Sequence, residues 1–145
     1  MGFRVDRLLA VAVPLICVAG LGVGAANAAS TGSQCNTLTG SKSSTTAKLG
    51  GCAGQTGGSG KIMNFAYPPK GGTVHWANGT TSTFKVSVSD QGPGTCPAKS
   101  FKIVLQGSVT ASTNKSVKKG AAVAMSLCAA NSGAIKNAAG TKVKF

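Results

Sequence analysis

The chain has 145 residues, with fifteen Lys and Arg against two acids, Asp6 and Asp90, one His and no Glu. That inventory excludes acid-rich Ca²⁺ or Mg²⁺ sites and leaves too few carboxylates for paired-acid catalysis. The charge speaks to association instead: a strongly positive field draws polyanions.

In chain order, the basic lead MGFRVDR precedes an apolar run from Leu8 to Gly24 and the small-x-small pattern Ala26-Asn27-Ala28. This predicts a secretory signal peptide over residues 1–28, cleaved on export. A retained anchor fits less well, because the run is short for a span and contains Pro14 and three glycines. Cleavage leaves 117 residues, enough for one domain with a modest core, and no membrane span. All thirteen Lys stay in that mature chain and Asp90 is its only acidic side chain, a balance of +12.

Cys17 leaves with the signal, so four cysteines remain: Cys35, Cys52, Cys96 and Cys128. Four in an exported chain predict two disulfides. Three connectivities exist, and Cys35 with Cys52 and Cys96 with Cys128 is favoured because each closes a loop within one half of the chain. No CxxC pair occurs, so no metal site is expected, and no motif implies a cofactor.

Residues 29–44 are Ser/Thr-rich and read as an irregular N-terminal segment, with the β domain over 45–145. Glycine clusters at Leu49 to Gly60, Pro68 to Gly72 and Gln91 to Gly94 separate short β-like runs. The expected strands are Thr45 to Leu49, Lys61 to Tyr67, Thr73 to Ala77, Thr81 to Ser89, Ser100 to Thr110, Ala122 to Cys128 and Thr141 to Phe145. Ala-rich GAAVAMSLCAAN also suits a short helix, but Val123, Met125 and Leu127 alternate and glycines bound the run, which favours a strand. Together these predict an all-β fold: a single small β-sandwich, Ig-like or related, of about seven short strands stapled by disulfides.

Within GTVHWANGTTSTFKVSVSD lie the only His and the only Trp. Asn78-Gly79 between β-rich runs signals a hairpin. A two-residue loop would split Val74 and Trp76 from Phe84, Val86 and Val88. A three-residue loop, Ala77-Asn78-Gly79 with Gly79 left-handed, pairs Trp76 with Thr80 and Val74 with Ser82 and puts all five apolar residues on one face. It also makes Asn78→Ala mild and Gly79→Val costly. Trp76 becomes core, and His75 points outward with Lys85.

This placement makes His75 a surface residue rather than a catalytic base, with Asp90 at the far end of the hairpin. No G-x-S-x-G elbow occurs, and GGCAGQTGGSGK lacks the G-K-[ST] ending of a phosphate loop. No catalytic residues are assigned, and the expectation is a non-enzymatic protein.

The pattern of an early Cys, LGGCAGQTGGSG, GTVHWANGTTSTF, Cys96-Pro97, QGSVT, Cys128 and a closing GTKVKF resembles small secreted proteins of unknown function from actinobacteria, of the streptomycete and mycobacterial type. The resemblance implies an all-β exported domain and brings no activity or functional residues with it.

Two function classes follow. One is a secreted or envelope-associated binding module for anionic polymers such as wall polymers, extracellular DNA or acidic glycans. Its lysines would be Lys85, Lys102, Lys142 and Lys144 on strands and Lys115, Lys118 and Lys119 in the loop STNKSVKKG. The other is a structural or protein-interaction module with an unknown protein partner, in which the lysines serve solubility alone. A monomer is expected in either case. Arg, the commonest reader of base edges, is absent from the mature chain, which disfavours sequence-specific DNA recognition.

Overall fold

The computed structural model describes residues 32–145; the expected signal peptide and Cys17 lie outside the described residues. Nine strands run β1 (Gln34–Ser41), β2 (Ala47–Cys52), β3 (Ser59–Met63), β4 (Gly71–Trp76), β5 (Thr81–Gly92), β6 (Ser100–Ser112), β7 (Ala122–Ala130), β8 (Ala134–Asn137) and β9 (Val143–Lys144). Every neighbouring pair is antiparallel, from β2 through β7 in order. The short β8 and β9 both lie between β7 and β1, and β1 pairs back to β2. The sheet therefore closes on itself as an eight-stranded antiparallel barrel, in which β8 and β9 share one strand position.

This corrects the expected sandwich. Period-2 alternation is the same in a sandwich and in a barrel, so the strands alone do not choose between them. Closure depends on β1, whose sequence reads as irregular. Its inward residues step from Cys35 to Leu38, three positions rather than two, and β2 makes the same step from Leu49 to Cys52. The two breaks coincide, so Leu38 faces Leu49 and Cys35 faces Cys52, all four buried. A strand with a matched break in its partner stays paired, yet shows no alternation to a reader of one sequence.

An eight-stranded barrel has an interior that side chains just fill. Here Leu38, Ile62, Phe65, Val74, Phe84, Ile103, Leu105, Met125, Leu127 and Ile135 do so. Trp76 and Phe84 both meet the ring of Phe145 edge-on at 5.4 Å. Such contacts add about 0.5–1.5 kcal/mol each beyond the area buried. β7 is a strand, with Val123, Met125 and Leu127 inward as their alternation suggests. Between β5 and β6, Gly107 leaves no room for a side chain: a Cβ there would sit 1.8 Å from the carbonyl oxygen of Lys85.

The β4–β5 hairpin has the three-residue loop. Val74 pairs with Ser82, Trp76 N donates to Thr80 O at 2.9 Å, and Gly79 holds φ at 86°. Val74, Trp76, Phe84 and Val86 are buried, but Val88 is 38% exposed, contrary to the single buried face expected. β4 begins at Gly71, opposite Lys85, so among the described residues β5 beyond Val86 has no strand neighbour on that side. Pro68, Pro69 and Lys70 lie against Val86, Ser87 and Val88 there. Proline and lysine beside a free strand edge discourage pairing with another chain.

The disulfides join Cys35 to Cys52 and Cys96 to Cys128. The first locks β1 to β2; the second ties the β5–β6 loop to the outer face of β7. Closing loops of 17 and 32 residues, they contribute roughly 3 to 4 kcal/mol each in a chain-entropy treatment.

Candidate polyanion-binding surface

The pleat decides where most lysines go. Lys48 lies between buried Ala47 and Leu49, Lys85 between Phe84 and Val86, and Lys144 between Val143 and Phe145. Lys61 precedes Ile62, Lys102 precedes Ile103 and Lys136 follows Ile135, each of these neighbours pointing into the barrel. The charges on all six therefore stand on the outer wall. Lys102 is the only one of them that is half-buried, and its Nζ lies 3.6 Å from Asp90 Oδ2. An exposed pair of this kind is worth at most about 1 kcal/mol.

Lys115, Lys118 and Lys119 occupy the β6–β7 loop at the end of the barrel where the β4–β5 hairpin turns. Asn114, buried to 4% exposure, organises that loop. Its Nδ2 donates to Gln55 O and to Thr80 Oγ1, both at 2.7 Å, and its Oδ1 accepts from Ser116 N and Val117 N. Val117 is fully buried. The three lysines are thus exposed on a fixed loop.

The seven lysines singled out from sequence separate into groups. Lys142 and Lys144 share two surface grooves, one beside Cys52 and Phe145 and the other beside Gln106 and Ser126. Lys115, Lys118 and Lys119 share the loop. Lys85 stands apart, opposite Gly71 and Ser108, and Lys102 is engaged with Asp90.

Neither Trp76 nor Tyr67 offers a free face on which a base or sugar could stack. Trp76 is 3% exposed and its Nε1 donates to Ser82 Oγ at 2.9 Å. Tyr67 is half-buried with Lys42 Nζ 5.3 Å from its ring centroid, and the same ammonium lies 5.2 Å from the Phe101 ring. Desolvation by burial raises the Tyr67 phenol above its ordinary 10.0. His75 is exposed on β4 and pairs in register with Thr81 at the start of β5, whereas Asp90 lies near the opposite end of that strand.

Sequence reasoning missed Lys48, Lys61 and Lys136. Parity alone marks the first two as outward, but their alignment becomes visible only with the register: Lys48 lies directly opposite Lys61, and Lys61 opposite His75. Lys136 joins them through β1 and β8, the two strands the sequence does not announce. The chain matches no protein-family model, no curated protein and no solved structure.

Proposed function

We propose that this chain is an exported, non-enzymatic β-barrel domain that binds linear anionic polymers outside the cell or in its envelope through outward-facing lysines. The observation that carries the reading is Lys48 placed directly across from Lys61, with no acid paired to either among the described residues. Like charges in opposed sheet positions destabilise a fold, a cost that solubility alone does not require and that a bound polyanion removes. Two intramolecular disulfides are typical of extracellular proteins. The barrel is apolar inside and studded with lysine outside, the inverse of a membrane barrel, and Lys at the lipid face of such a barrel costs about 2–4 kcal/mol. Its wall therefore suits water.

Titrating the domain with single-stranded DNA and with a polyol-phosphate chain across a salt series tests the reading. Four to six phosphate contacts give a log–log salt slope of roughly 3 to 5 in magnitude. Undetectable binding at low ionic strength would leave the lysines as a solubility device and favour the protein-interaction module.

A further inference from the structure

Resting on that reading, we infer that one file of side chains winding around the barrel, Lys102, Lys136, Lys48, Lys61 and His75, is the track on which a single base-free phosphodiester chain, such as a polyol-phosphate, lies. The register defines the file. Lys102 on β6 faces Cys128 on β7, Cys128 faces Lys136 on β8, and Lys136 faces Thr39 on β1. Thr39 faces Lys48 on β2, Lys48 faces Lys61 on β3, and Lys61 faces His75 on β4. All of these side chains belong to the outer face. The file continues to Thr81 at one end of β5, while Lys102 faces Gly92 at the other end of the same strand. It is therefore a spiral, set by the stagger that closes any barrel.

Neighbouring strands lie about 4.8 Å apart, so Lys48 and Lys61 are about one such step apart, Lys136 about two steps from Lys48, and Lys102 about two from Lys136. From Lys102 to His75 the path is roughly 30 Å along the wall, six strand steps. Among the described residues the only acid on it is Asp90, against Lys102 at its start, and the Cys96–Cys128 disulfide on the outer face of β7 leaves Lys136 to His75 as the uninterrupted part.

Two further observations select the occupant. The outward rows on either side of the Lys48–Lys61 step are uncharged: Thr37, Gly50 and Ser59 on one side, Met63, Thr73 and Thr83 on the other. The charge is thus one residue wide, which matches a single strand of phosphates and not a broad anionic sheet. Among the described residues no Trp, Tyr or Phe ring lies on the track, with Trp76 buried and Tyr67 covered by Lys42, and His75 at its end is its single imidazole. Proteins that hold single-stranded nucleic acid without sequence preference add a succession of stacking rings to charge, and here one imidazole at the end of the track takes the place of that series. Lysine's compact ammonium suits diffuse phosphate contact.

The test compares two triple variants by binding to a polyol-phosphate chain across a salt series. Lys48→Gln with Lys61→Gln and Lys136→Gln should lower the slope by about 2 to 3, whereas Lys115→Gln with Lys118→Gln and Lys119→Gln should change it by less than about 1. A poly-dT oligomer with the same number of phosphates should bind no more tightly than the polyol chain. In the free protein, Lys61→Gln alone should raise the melting temperature at low salt, and the gain should vanish at high salt; this readout also confirms that the variant folds. Equal loss of slope in both triple variants would overturn the track while leaving general polyanion binding intact. Tighter binding of poly-dT would overturn the base-free occupant, and no binding by the unaltered protein would overturn the proposed function along with the track.

Discussion

The indole of Trp76 donates to Ser82 Oγ at 2.9 Å inside the barrel, and Ser82 Oγ lies 2.8 Å from Ser112 Oγ. Ser82 is 1% exposed, so this hydroxyl is what allows a Trp to serve as core without an orphaned N–H. Ser82→Ala removes the partner and should cost about 1–3 kcal/mol. Denaturant unfolding followed through the single Trp measures it directly. A change below about 0.5 kcal/mol, the range of neutral surface substitutions, would mean the indole finds another acceptor.

The hairpin gives a second expectation, altered by the structure. Gly79→Val should lose about 1–2 kcal/mol, because a side chain at φ 86° is strained although nothing crowds its Cβ. Asn78→Ala, mild on the sequence pattern alone, should now cost about 1 kcal/mol. Asn78 Oδ1 accepts from Thr80 N at 3.0 Å and from Thr80 Oγ1, and its Nδ2 donates to Gln55 O across to the β2–β3 loop. Comparing the unfolding midpoints of the two variants checks both, and an Asn78→Ala midpoint unchanged from the parent would show that these bonds carry no net stability.

What was legible in the sequence was local. Asn78-Gly79 and the parity of Val74, Trp76, Phe84 and Val86 fixed a register from a few residues, because only one loop length buries them together. Cysteine pairing was local too, each bridge closing a loop within one half of the chain. Closure was not legible, since it depends on β1 meeting β2 and β8, and β1 hides its pattern behind the step from Cys35 to Leu38. β8 offers only Ile135 as a buried residue. The candidate site suffered most: lysines scattered at 48, 61, 102 and 136 become one file only once the strands between them are in place.

Tyr67 is the only tyrosine, so its ionisation is visible without interference. Desolvation raises its folded-state value above 10.0, which favours the neutral phenol in the fold. The associated stability is fully present below the unfolded value and is lost as pH rises through the folded one. Tyrosinate absorbance should therefore appear at higher pH in the native protein than in the reduced, denatured chain. Coincident curves would show that the ring is as well solvated folded as unfolded.

The most direct measurement of lysine-borne polyanion binding is amine-reactive footprinting of all thirteen lysines, read by mass spectrometry with and without a polyol-phosphate chain at low salt. Lys48, Lys61 and Lys136 should be protected most strongly, Lys115, Lys118 and Lys119 little, and added salt should abolish the protection. Protection spread evenly over the lysines, or none at any of them, would contradict a lysine track on the barrel wall.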